Sequence, residues 1–162
     1  MGLNMKAQLK DELLKVKGEI VLEFRNVKTG KVRRYVYRNM FVTFGKNAIA
    51  QRLAGNDVGQ ITYCAVGTGT TAPALGDTAL ETEIARKEVS VRSYSGNVFT
   101  GQTYFTTQEA NGTLREAGLF GNGVGRTANS TSGTGQLFAR AAMNRVKTSN
   151  DTLTLSWTVT IG

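Results

Sequence analysis

The sequence predicts a mainly β protein: an antiparallel β-sandwich of about eight strands, with two or three short helices and an N-terminal helical arm. Three observations lead there. From Gly18 onward, apolar and polar residues alternate over run after run, the period of a half-buried strand. The 19 glycines stand against a single proline, Pro73, and recur with Ser, Thr and Asn between those runs, which is turn chemistry. The 162 residues are 40% hydrophobic and 20% charged, values that suit one domain with a single core.

Residues 1–17 depart from the two-residue period. Met5, Leu9 and Leu13 fall at i, i+4 and i+8, with Leu14 and Val16 beside them, while Lys6, Lys10, Asp11, Glu12 and Lys15 take much of the rest. A helix this short is marginal in water and needs a surface to lie on. That surface is either its own domain or a neighbouring subunit, and Met5, Leu9, Leu13 and Leu14 are the candidate assembly contacts. Residues 18–162 form the single sandwich domain.

Within that domain, Ile20, Leu22 and Phe24 alternate with Glu19, Val21, Glu23 and Arg25. Lys28-Thr29-Gly30 reads as a turn, and Val32 to Arg38 as the returning strand of a hairpin. Met40–Phe44 continues as strand. Gly45–Ala54 has helix character, with Ala48, Ile49, Ala50 and Leu53 apolar and Gly55 as its stop. A strand follows at Ile61–Val66. Thr78 and Glu81 match a capping box for a short helix ending near Arg86. Strands are then expected at Glu88–Tyr94, Val98–Thr107, Thr113–Phe120, Gln136–Met143 and Asp151–Ile161. The last places Leu153, Leu155, Trp157, Val159 and Ile161 on one face. Gly121–Gly135, long and poor in apolar residues, reads as a mobile surface loop.

Composition removes several function classes. There is no His, and Cys64 is the only Cys, so a zinc site lacks its usual ligands and no disulfide closes within one chain. Cys64 sits in an apolar run and reads as a small core residue. No apolar stretch approaches the roughly 20 residues that span a bilayer, and the N-terminus has no signal-peptide core. The net charge of +8 is concentrated in residues 1–60, which hold twelve Lys and Arg against five Asp and Glu. Such a balance permits an acidic partner without choosing one.

The most motif-like stretch is Gly67-x-Gly69-x-x-Ala72, directly after a strand. A dinucleotide-binding turn is written this way, but it needs a helix that begins inside the glycine motif. Pro73 and Gly76 intervene, and the next helix start is near Thr78. The stretch is therefore a strand-to-helix connection, and no cofactor is expected. Nucleophilic triads fail for want of His. Of the carboxylates, Glu81 reads as a helix cap and Glu83 as helix surface. Glu116, within "LREAGLF", needs a cation, which Arg115, Arg140 or Arg86 could supply; a structural ion pair of Glu116 and Arg140 is the expectation. No catalytic set emerges. In "KVRRYVYRNMFVTFGK", Lys31, Arg33, Arg34, Arg38 and Lys46 interleave with Tyr35, Tyr37, Phe41 and Phe44. That is the composition of a single-stranded nucleic-acid platform, and equally of a half-buried strand.

Three blocks together are more specific than any one. They are Gly67-Thr68-Gly69-Thr70-Thr71-Ala72-Pro73 with Asp77-Thr78 and Leu80; Glu116-Ala117-Gly118-Leu119-Phe120; and Leu137-Phe138-Ala139-Arg140 followed by the Asp151-Thr152-Leu153 strand. In this order, after an opening hairpin, they resemble a family of small structural proteins in tailed-bacteriophage virions, tail or tail-fibre-associated. The resemblance covers about Gly18 to Gly162 and leaves residues 1–17 outside. It implies a non-enzymatic homo-oligomer, trimer or hexamer, bound to other phage structural proteins. The tail or the neck and fibre-attachment region is the first expectation, with capsid decoration as the alternative. A single-stranded nucleic-acid-binding module is the second alternative. The implied location is the virion, assembled in the host bacterial cytoplasm.

Overall fold

β1 (Val16–Asn26) and β2 (Val32–Phe41) form the opening hairpin, with Ile20 opposite Tyr37 and Phe24 opposite Arg33. The turn is held by Asn26, whose Oδ1 accepts from the Lys28 and Thr29 N–H groups, and it closes at Gly30, where φ is 70°. That angle suits a residue without Cβ. A computed structural model describes residues 15–162 of the chain; residues 1–14, with Met5, Leu9, Leu13 and Leu14, lie outside the described residues. Val16 and Lys17, assigned to the arm on periodicity, instead pair with Ile161 and Thr160 in the sheet.

After β2 comes α1 (Thr43–Leu53), two residues earlier than expected, so Thr43 and Phe44 are helical and not strand. Gly45 and Ala48 are its buried positions, and a Cβ on Gly45 would overlap the Phe138 carbonyl oxygen. Small residues let the helix lie directly on the neighbouring strand. Gly55, at φ 89°, stops it, its N–H bonding back to Arg52 O at 3.0 Å. The remaining elements are strands: β3 (Ile61–Gly67), β4 (Glu83–Glu88), β5 (Val91–Ser95), β6 (Val98–Phe105), β7 (Gly112–Gly121), β8 (Gln136–Lys147) and β9 (Asp151–Ile161).

All nine join in one sheet, in the order β4-β3-β7-β8-β2-β1-β9-β6-β5, and every pairing is antiparallel. The fold is thus mainly β, but the expected two sheets are one sheet that curls. β2 makes the continuity: most of it pairs with β1, while Met40 and Phe41 pair with β8. The curl is also visible in the chain between the two end strands. Only Val89 and Ser90 separate β4 from β5; the Val89 N–H reaches Thr62 O on the β3 side, and the Ser90 N–H reaches Gln102 O on β6. The two ends of the sheet therefore meet at this corner.

The concave face holds the core. Ile20, Leu22 and Phe24 of β1 stand opposite Trp157, Leu155 and Leu153 of β9, all buried, and meet Cys64, Val66, Leu114 and Leu119 from the other half. Each fully buried aliphatic or aromatic side chain contributes about 1.5–3 kcal/mol. A smaller cluster, Val42, Ala65, Leu80, Phe120 and Leu137, lies on the other face of β3, β7 and β8. This is why those strands are buried on both sides, with Glu116–Gly121 an unbroken buried run.

Two expectations are corrected here. The short helix from Thr78 to Arg86 does not form: residues 78–82 are irregular and Glu83–Glu88 is β4, paired to β3. An isolated turn of helix has little to stabilise it, whereas a strand satisfies the open edge of β3, and Leu80 reaches the outer cluster from an irregular backbone. The strand expected at Glu88–Tyr94 is accordingly split between β4 and β5 at the corner. Among the described residues α1 is the only α-helix, and no helix is long and apolar enough to cross a membrane.

Candidate functional site

Glu116 enters the site from β7 and Arg140 from β8, which are adjacent strands. Their side chains are 1% and 3% exposed, and Arg140 Nη2 lies 2.8 Å from Glu116 Oε2, with Nε at 3.1 Å. The second guanidinium arm, Nη1, reaches Asp77 Oδ2 at 2.7 Å, and Nη2 also donates to the Thr71 carbonyl at 3.0 Å. Burial opposes the charge on Arg140, but the hydrogen bonds to Asp77 and Glu116 outweigh it and raise its pKa. Arg115 is exposed and Arg86 is engaged elsewhere, so of the three possible partners only Arg140 meets Glu116.

The other half of the Glu116 carboxylate faces backbone. Oε1 accepts from Gly69 N–H at 3.1 Å and Thr82 N–H at 2.7 Å, and Oε2 from Glu81 N–H at 3.0 Å. Glycine is required for this approach. A Cβ on Gly69 would stand 2.5 Å from Glu116 Oε1, and one on Gly67 would overlap the Thr82 carbonyl oxygen. Glu81 does not cap a helix; its Oε2 accepts from Thr71 N–H at 2.8 Å, and this bond is the main reason its pKa is lowered. Asp77 likewise closes its own turn, accepting from Ala74 N–H at 2.9 Å.

The loop that resembled a phosphate cradle is thus a cradle for carboxylates of the same chain. Gly69 and Thr71 turn their N–H groups toward Glu116 and Glu81, where a phosphate would otherwise sit. With a guanidinium and three N–H groups already on one buried carboxylate, Glu116 has no free lone pair facing solvent for acid–base work.

A second buried pair was not legible. Glu83, read as helix surface, is buried beside Arg86, with Nε–Oε1 at 2.7 Å and Nη2–Oε2 at 2.8 Å. In a regular strand residues three apart point to opposite faces, but β4 carries an extra residue at Ile84, since Gly67 pairs with Glu83 and Val66 with Ala85. The bulge returns Glu83 and Arg86 to one face. Arg86 also lies 4.0 Å above the Phe120 ring and donates to the Thr134 carbonyl, which ties down the Gly121–Gly135 segment. Lys147 is a further buried charge; its Nζ donates to Thr106 O and Asn111 Oδ1, and burial lowers its pKa. No sequence signal marked either, since β4 reads Glu-Ile-Ala-Arg-Lys-Glu and β8 ends in Asn-Arg-Val-Lys.

The residues of β2 alternate by face, and Arg33 shares the inner face with the two tyrosines. Tyr35 and Tyr37 turn inward and Arg34 and Arg38 outward. The Arg145 guanidinium covers the Tyr35 ring at 3.9 Å and approaches Tyr37 at 5.6 Å. Arg33 pairs with Asp151 at 3.0 Å and Arg34 with Glu23 at 2.6 Å, while Phe41 is buried. The inner-face tyrosines are thus covered by Arg145, and Arg33 and Arg34 are already paired with carboxylates of the same chain. Cys64 is fully buried, its Sγ accepting from Trp157 Nε1 at 3.2 Å, and burial pushes its pKa up to about 12.

Comparison of the chain with family models, with curated proteins and with solved structures gives no match.

Proposed function

We propose that this chain is a non-enzymatic structural protein of a tailed-phage virion, which self-assembles and docks on the tail or its neck and fibre-attachment region. One observation supports the reading best. The three blocks that carry the family resemblance are far apart in sequence, yet they meet at one point: Asp77 from the first, Glu116 from the second and Arg140 from the third. They share a scaffold role, the fastening of the Gly67–Thr82 loop to the sheet, and none of them is left free for chemistry. In this reading the curled sheet acts as a two-layered, sandwich-like body. Residues 1–14 act as the amphipathic arm, with Met5, Leu9, Leu13 and Leu14 against a neighbour in a trimer or hexamer.

The test is electron microscopy of intact particles carrying a tagged copy of the protein. Density for the tag on tail or neck is the expected result. Density over the capsid lattice would favour the decoration role, and absence from particles would overturn the virion reading.

A further inference from the structure

The two ends of the sheet differ. β4, at one end, has Ala110 and its neighbours set against it, with Lys87 Nζ 2.7 Å from Glu109 Oε2. Among the described residues β5, at the other end, pairs only with β6, and all five of its residues are exposed, Tyr94 to 85% and Val91 to 50%. Its sequence, Val-Arg-Ser-Tyr-Ser, has one charge and no proline, and its register with β6 runs without a bulge. An open strand edge is normally blunted by lysines, prolines, bulges or a covering segment. Among the described residues β5 has none of these.

Beside it lies an apolar cleft of about 400 Å³, lined by Phe41, Ile61, Phe99, Val159, Ile161 and Arg92. Arg92 reaches across its mouth, Nη1 to Ile61 O at 3.4 Å. Tyr94 stands opposite Phe99, so Tyr94 and Arg92 leave the sheet on the side of the cleft.

We propose that β5 pairs antiparallel with β5 of a second copy, about a two-fold axis through Ser93. In that register Arg92 of each chain opposes Tyr94 of the other, and Val91 opposes Ser95. The strand is self-complementary: each exposed aromatic ring meets a cation at the mouth of an apolar cleft, and each cation meets a ring. The backbone groups on the two open edges satisfy one another. Five residues make a short contact, which serves as one of several in an assembly. The inference rests on the self-association in the reading above, as a hexamer with two-fold axes and not a closed trimer, and it does not depend on the virion setting.

Cysteine trapping in the full-length chain tests it. Ser93→Cys sets a thiol against its own counterpart on the axis. Ser95→Cys sets it against Val91, with its counterpart beyond the roughly 7 Å Cα separation that a disulfide spans. The natural Cys64 is buried and does not compete. Under mild oxidation, with both variants showing the circular dichroism of the parent, Ser93→Cys should convert to a disulfide-linked dimer and Ser95→Cys should stay monomeric on a non-reducing gel. Adding Tyr94→Ala to Ser93→Cys should slow the cross-link severalfold. Cross-linking by neither variant, or by both alike, would overturn the proposal. A Ser93→Cys dimer from a protein absent from particles would remove the virion reading and leave this contact standing; a particle component without the cross-link would do the reverse.

Discussion

Arg140 and Glu116 are 24 residues apart in sequence and 2.8 Å apart in the fold, and both are almost completely buried. The pair is a clamp on the Gly67–Thr82 loop, because each member also binds that loop's backbone. Removing one side leaves an uncompensated charge inside the protein. Arg140→Met should cost about 3–5 kcal/mol, read from the urea midpoint. A loss below about 1 kcal/mol would mean that water reaches the carboxylate and the clamp is dispensable.

The glycines of this loop divide by what surrounds them. Gly67→Ala should destabilise by about 1–3 kcal/mol, since the new methyl meets a backbone oxygen that cannot rotate away. Gly76→Ala, where nothing stands within 4 Å, should change stability by no more than about 0.5 kcal/mol. Denaturation of the two variants side by side checks the contrast; equal effects would contradict the geometry at Gly67.

Cys64 should be inert in the native state. With its pKa near 12 and no exposed surface, it should resist iodoacetamide at pH 8 and react on addition of urea. Cys64→Ala should cost about 1–3 kcal/mol, because the Trp157 Nε1 donor loses its acceptor, and Cys64→Ser should cost less. Rapid native labelling would show that the two halves of the sheet part at this point.

Glu109 links stability to pH. The hydrogen bond from Lys87, followed by that from the Thr106 N–H, lowers its pKa in the fold below the usual glutamate value. A depressed carboxylate contributes stability above its unfolded pKa of about 4.3 and loses it as pH falls through the folded value. Thermal midpoints of the parent and Glu109→Gln should therefore differ most at pH 6–7 and converge toward about pH 3. A gap that stays constant across this window would remove Glu109 from the linkage.

Deleting residues 1–14 should leave the domain folded. The Lys15 backbone pairs with Gly162 in both directions, at 2.9 and 2.8 Å, so β1 keeps its first rung. Stability read from the urea midpoint should stay within about 0.5 kcal/mol; under the proposed virion role, attachment to the particle should weaken, each buried Leu or Met being worth about 1.5–3 kcal/mol. Unfolding of the truncated chain would show that the segment packs on its own domain.

The sequence by itself determined the strands whose partners lie on both sides and whose pattern is long. β1 and β9 were legible because Ile20, Leu22, Phe24 and Leu153, Leu155, Trp157 repeat with period two over eleven-residue strands. It also carried the need of Glu116 for a cation, since a carboxylate among apolar residues requires one wherever it folds. Tertiary structure alone decided the rest. Thr78–Glu81 matched a helix start, but a local capping signal is worth about 1 kcal/mol and lost to the vacant edge of β3 and to the outer cluster around Leu80. Glu83 and Arg86 meet only because of a bulge, which no spacing rule foretells. Arg140 was expected beside Glu116 on residue chemistry alone; what sets it there is strand order, which puts β7 beside β8 and is fixed by long-range pairing and not by any local pattern.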